Sequence, residues 1–425
     1  MNRHFLPICC LLSLALQSFL HGDWPRWRGA QGDGTWNGPE ISRVLPTAGL
    51  KRVWKTKVFP GYSGITIQDG LLYLMDRPNF EEGKGMERIV CLNASTGVEV
   101  WSFSYPVDYG DMGYGKGPRS SVTVEDGRVF TLGARGHAFA FNSQTGEKIW
   151  MRNLVAEENA TVPIWGFSSS PEPHASEVLF HVGCQPTGSV LALSQANGET
   201  KWKVGRDEGA GYAPPLLIES KGGPQLICWG PNRIMGLPIG GGQAYWEVPY
   251  EVKYGVSITK PIYHEDIILV SEYWHGTRAI LLGEKLGDAK ILWSDEINLR
   301  GLMSQALYRK GICFLLDRSS GLSAFELKSG KILWRDQHQL TPSERNPQAS
   351  IVWSEQEAGD ALALNAYGEL VFINLGKEGY TEYWRDQIIG KTWAHPAYSN
   401  NRVFSRDDKS VVCHELPLAT KSVRK

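Results

Sequence analysis

Short apolar runs separated by turn residues recur along the chain, and helical periodicity is scarce throughout. Arg128-Val-Phe-Thr-Leu132 reads as one strand and His137-Ala-Phe-Ala-Phe141 as the next. Asn142-Ser-Gln-Thr-Gly146 then reads as a turn into a final short strand that ends in Trp150. The unit repeats. Cys91–Gly97–Trp101, Ala140–Gly146–Trp150, Ala192–Gly198–Trp202 and Ala324–Gly330–Trp334 align with the glycine four residues ahead of the tryptophan. Tryptophan stands at Trp54, Trp101, Trp150, Trp202, Trp246, Trp293, Trp334 and Trp384, 41 to 52 residues apart, the length that a four-stranded propeller blade needs. A glycine at that place fits a hairpin turn with positive φ. An indole wedged between adjacent sheets contributes roughly 4–6 kcal/mol as an upper estimate.

Three copies are altered: Gly242 lies in a glycine run, and Gly287 and Gly379 sit two and one positions early. At the end of the chain, the stretches Thr392–Tyr398, Arg402–Ser405 and Ser410–Leu416 supply three strands and no fourth. Leu50–Thr56, around Trp54, is the economical source of the missing outer strand. The predicted fold is therefore all-β, an eight-bladed β-propeller of four-stranded antiparallel blades closed by an N-terminal strand. Its expected divisions are a signal peptide over 1–22, an irregular segment over 23–49 packed on the propeller, the propeller over 50–416 and a tail over 417–425.

Composition changes the picture little. Hydrophobic residues make up 42% of the chain, ample for a buried interior, and a net charge of −1 carries no nucleic-acid or membrane footprint. A basic Met-Asn-Arg-His followed by the apolar stretch Phe5–Leu20 has the plan of a signal peptide, so the mature chain is expected to be periplasmic or secreted, without a membrane span. Cys91, Cys184, Cys228, Cys313 and Cys413 are dispersed over separate repeats, which points to buried free thiols and not a disulfide frame. No His-Glu-x-x-His or compact His/Cys cluster is present, so no metal ligands are assigned.

The repeat Ala-x-Asn/Asp-x-x-Thr-Gly-x-x-x-Trp resembles the docking motif of the pyrroloquinoline-quinone (PQQ) repeat proteins, over about residues 23 to 416. Asp23-Trp-Pro-Arg-Trp-Arg-Gly29 through Gly34 is similar to the start of secreted PQQ-like propellers typical of planctomycete-type bacteria, and Gly390–Pro396 with Asn401–Phe404 is similar to their last blade. The resemblance implies an eight-bladed ring and two contrasting activities. One is a PQQ- and calcium-dependent alcohol dehydrogenase, whose site uses a vicinal cysteine disulfide, acidic and amide calcium ligands and an aspartate base. The other is a non-catalytic periplasmic lipoprotein that assists outer-membrane barrel assembly. This chain has no adjacent cysteines after the leader, and no Glu/Asn/Asp calcium set aligns. A binding or scaffold module is the first expectation, with an envelope protein or small ligand as partner, a monomer as its state and no catalytic residue; a dehydrogenase with PQQ and calcium is the alternative.

Gly110–Gly117 approaches a phosphate loop, but glycine replaces the magnesium-binding Ser/Thr and no strand-to-helix context surrounds it. Asp108 and Asp111 read as solvated loop acids, and Ser63 lacks nucleophile-elbow spacing. The segments that return the chain to the axis before each blade should converge on one mouth of the channel. They supply the candidate ligand-binding set Arg119, Trp165, Tyr212, Tyr254, Gln348, Trp393 and His395. There Arg119 would pair with an anionic group, Trp165 and Trp393 would stack, and Tyr212 or Tyr254 would donate hydrogen bonds. The loops Ser102–Gly117, Arg152–Ile164 and Arg335–Asn346 are candidate partner contacts.

Overall fold

A computed structural model describes residues 22–79 and 84–419. The expected leader lies, except for Gly22, outside the described residues, as does the tail beyond residue 419. The described residues form eight four-stranded antiparallel sheets, with one short α-helix at Leu154–Glu158 and one 3-10 turn at Lys253–Gly255. Blade 1 consists of Thr66–Gln68, Leu71–Asp76, Lys84–Asn93 and Glu99–Asp108, innermost strand first. Blades 2 to 7 follow over 123–153, 172–204, 216–249, 262–295, 307–335 and 349–387. Blade 8 is composite. Ala397–Ser399, Arg402–Arg406 and Ser410–Glu415 are completed by Arg52–Lys57, with Trp54 opposite Cys413 and Lys57 opposite Ser410.

Position within the blade explains the pattern of side chains. Middle strands are covered on both faces by neighbouring sheets and read as continuous apolar runs, as in Leu71–Asp76 and Asp360–Asn365, where every residue is buried. Outer strands face a neighbour on one side only and alternate: Trp101 and Tyr105 point inward while Ser102 and Ser104 point out. The five cysteines among the described residues are buried and unpaired.

The repeat motif is a docking device between blades. Trp101 Nε1 donates to Ser143 O at 2.8 Å, in the turn of the next blade, and Gly146 of that turn lies against the Trp101 ring. Trp54 donates likewise to Ala94 O, Trp150 to Gln195 O, Trp293 to Leu327 O and Trp334 to Gly376 O. The alanine of the motif sits directly opposite the tryptophan, as Ala140 does to Trp150, and a bulge follows it. Of the three altered turns, that of Gly379 still receives its indole bond, through Gly376 O, and the other two redirect it. Trp202, facing the turn of Gly242, donates to Glu177 of its own blade, and Trp246, facing that of Gly287, donates to Gln225 of its own blade. Blade 8 has no such turn because the chain is split there, and Ser42 O accepts from Trp384 Nε1 in its place at 2.9 Å.

Glycine is required in these turns twice over. Gly146 has φ +71°, and a Cβ there would stand 2.6 Å from the Trp101 ring. Gly146→Ala is expected to cost about 2–5 kcal/mol in denaturant unfolding, combining left-handed strain with overpacking. Gly70 has φ +75° with nothing within 4 Å, so Gly70→Ala should cost only the backbone part, about 1–2 kcal/mol. Equal losses at the two sites would refute the indole contact as a source of stability.

The segment before the clasp closes one end of the axis. Trp24 exchanges backbone hydrogen bonds with Ile67, Pro25 O accepts from Val124 N, and Arg26 pairs with Glu125 and Glu172. Trp36 N donates to Trp353 O, and the Arg28 guanidinium, 1% exposed, donates to Ile351 O. These partners belong to the innermost strands of blades 1, 2, 3 and 7, so residues 24–36 form a plug across the channel. Residues 417–419 pair with 40–42 beside it.

The expected contact loops are shorter than read. Ser102–Asp108 continues the outer strand of blade 1, Arg152 and Asn153 end a strand and cap the short helix, and Arg335 closes a strand. The unusually long partner strand Lys84–Asn93 extends the hairpin and draws Ser102–Asp108 into it.

Candidate functional site

Innermost strands run from the return segments toward the plug, so residues just ahead of each strand gather at the open end of the channel. A cavity of about 490 Å³ lies there, and every blade contributes to it. Arg119, Trp165, Tyr212, Tyr254, Gln348, Trp393 and His395 all line it. So do residues that sequence reasoning missed. Trp27 rises from the plug to form the floor, its ring edge-on to His395 at 5.3 Å. Tyr273, Trp274 and Arg318 come from turns between second and third strands of blades 5 and 6, outside the return segments. The Trp- and Arg-rich stretch at 24–28, in a segment without strand pattern, was the available signal for the floor.

Nine aromatic side chains and three arginines, Arg119, Arg318 and Arg345, line the cavity, and no Asp or Glu does. Tyr114 and Tyr254 hold left-handed backbone at φ 55° and 59°, and both side chains are exposed at the mouth. An aromatic residue in that region costs about 1–3 kcal/mol, strain of a kind that gathers at ligand sites. Tyr212 is fixed by accepting from Trp165 N at 3.2 Å, and burial pushes its phenol up to about 12. His395 exchanges a hydrogen bond with Ser350 Oγ at 3.0 Å; burial, and then Arg28, hold its imidazole down at about 3, so it is neutral at physiological pH.

Arg119 is placed at the site but not as an anion clamp. Its guanidinium donates to Gly117 O at 2.6 Å, Tyr114 O at 2.7 Å and Gly113 O at 3.0 Å, and sits over the Tyr62 ring. Burial lowers its pKa. The loop 110–117 thus turns carbonyls toward Arg119, with Gly115 O accepting from Arg77, the reverse of the N–H array that cradles phosphate. Asp108 Oδ1 accepts from Gly110 N within the same loop.

The groups implied by the resemblance can be tested against these residues. Calcium takes mainly carboxylate and carbonyl oxygens, and an alcohol dehydrogenase of this kind needs an aspartate base. The cavity offers no carboxylate, and no three His, Cys, Asp or Glu side chains cluster to hold a metal ion among the described residues. Among the described residues the cysteines lie singly in different blades. The donor set does not fit calcium.

Comparison with known proteins agrees with the repeats. A family model described as outer membrane protein assembly factor BamB, of the PQQ-repeat type, matches residues 85–252. The outer membrane protein assembly factor BamB of Yersinia pestis is 22% identical over 346 residues, 76% of this chain and 78% of that protein. A quinoprotein ethanol dehydrogenase of Pseudomonas aeruginosa is 26% identical over 136 residues, 31% of this chain but 20% of the dehydrogenase. The crystal structure of quinohemoprotein alcohol dehydrogenase from Comamonas testosteroni superposes with a TM-score of 0.66 at 12% identity, covering 95% of this chain and 82% of that one, a likeness of fold.

Proposed function

We propose that this propeller, whose repeats are of the PQQ-like kind, is a non-catalytic binding module that takes its ligand in the plugged central funnel. The observation that carries this reading is the lining: aromatic faces and arginines without one carboxylate, on a rigid ring closed below by Trp27. Chemistry at a quinone would need a carboxylate base and calcium ligands, which the cavity lining lacks. A periplasmic or secreted setting, with an envelope component as partner, accords with the apolar leader sequence and with the assembly-factor relative. Among the described residues, no helix is long and apolar enough to cross a membrane.

Two measurements test the reading. Titration with PQQ and calcium should leave the quinone absorbance unshifted and give no dye-linked alcohol oxidation. The Trp165→Ala, Trp393→Ala double variant should lose at least about tenfold in capture of its envelope ligand, about 1.4 kcal/mol or more, while remaining folded. Alcohol oxidation would replace this function with the dehydrogenase, and undiminished capture would remove the funnel from it.

A further inference from the structure

The funnel is chemically two-sided. From blade 8 round to blade 5 its wall is a continuous arc of ring contacts. Trp393 touches Tyr114, Tyr114 touches Trp165, Trp165 touches Tyr254 and Tyr254 touches Trp274, at centroid separations of 5.6–6.1 Å. Across blades 6 and 7 the wall carries Arg318, Arg345, Asn346 and Gln348 beside the apolar Leu302 and Met303.

The second wall is rich in donors that the protein does not use. Arg345 is exposed, and its side chain, like that of Asn346, makes no hydrogen bond or ion pair with another described residue. Gln348 engages only its carbonyl oxygen, which accepts from Ser304 Oγ at 3.3 Å. Arg318 gives one nitrogen to Tyr273 O at 3.1 Å and stacks 3.9 Å over the Tyr273 ring, leaving the rest of its fork toward the cavity. Of the three arginines that line the cavity, Arg119 is committed to carbonyls, and Arg318 and Arg345 are free to meet an anion.

Ring geometry narrows the ligand. Successive rings of the arc are rotated by 49° to 76°, so no contacting pair is parallel and each presents one face in its own direction. A flat aromatic molecule asks for parallel faces. Pyranose rings stack one C–H face on one aromatic ring at a time, turn at each linkage and carry hydroxyl acceptors for amides and indole N–H groups. Two free guanidiniums facing no carboxylate call for an anionic substituent.

We infer that the funnel binds an anionic oligosaccharide, its sugar rings stacked along the Trp393–Tyr114–Trp165–Tyr254–Trp274 arc and its carboxylate or sulfate group held by Arg318 and Arg345. This rests on the funnel being the binding site. Titration calorimetry of the folded chain against trigalacturonate, a heparin tetrasaccharide and neutral maltotriose tests it. At least one charged probe should bind about tenfold or more tighter than maltotriose at low salt, and the better of the two identifies carboxylate or sulfate. Arg318→Gln with Arg345→Gln should bring charged and neutral probes within about twofold of one another, whereas Trp165→Ala should weaken all that bind. Arg345→Gln alone, at an exposed position, serves if the double variant misfolds, and should still reduce the preference.

Equal binding of charged and neutral probes, an intact preference in the arginine variants, or no binding of any probe would overturn the inference. Silence of all three probes, together with lost envelope capture in Trp165→Ala, Trp393→Ala, would sink the sugar and spare the site. Capture that survives in that variant would sink the site itself.

Discussion

Removal of residues 22–57 is expected to abolish folding, leaving insoluble or unfolded chain by circular dichroism. The deletion strips blade 8 of its outer strand and the channel of its plug, and it takes away Trp24, Trp36 and Trp54, which are 2%, 2% and 9% exposed. Burial of three indoles is worth about 11–19 kcal/mol as an upper estimate, comparable to or above the roughly 5–15 kcal/mol by which whole domains are stable. The loss also opens Ser410–Glu415 as a new edge and leaves Trp384 Nε1 without Ser42 O. A circular permutant separates these contributions. Arg52 lies opposite His414, so a short turn after Glu415 leads directly into the clasp strand. Such a chain, lacking 22–49, should fold with a lower unfolding midpoint. A soluble, cooperatively unfolding 58–419 fragment would show that the clasp is dispensable.

Acid should act on the same seam. His414 is 6% exposed and pairs with the clasp at Arg52; burial is the main cause that holds its imidazole down at about 4. The unfolded chain, titrating near 6.5, binds a proton that the folded chain refuses between those values. Stability is therefore full above about pH 6.5 and falls as pH drops toward 4, by about 3 kcal/mol from this group. His181, 1% exposed and also lowered by burial, adds in the same direction. Denaturant midpoints measured from pH 7.5 to 4 should decline, and His414→Gln should flatten the decline by about that amount relative to its own value at pH 7.5. An unchanged slope in the variant would show that His414 does not carry the effect.

The site was legible as far as its residues are fixed by position in a repeat. Each return segment stands at a known offset from its blade, so Trp165, Tyr212, Tyr254 and Gln348 were placed at the mouth by counting alone. What each residue does there depends on neighbours distant in sequence. Arg119 reads as a free cation until Gly113, Tyr114 and Gly117 are seen to turn their carbonyls onto it. Arg318 and Arg345 carry no distinguishing local pattern, since one sits in a turn inside a blade and the other in an irregular loop.

The amino-acid order by itself determined the number of blades, the turn glycines and the composite eighth sheet, because these follow from periodic local patterns and from a last repeat one strand short that the strand around Trp54 completes. Only the tertiary structure decided that residues 24–36 plug the axis, that Ser42 replaces an absent turn and that the cavity has an aromatic and a basic side. Those features include contacts between segments 323 and 342 residues apart, set by packing around a closed ring, and no local pattern encodes them.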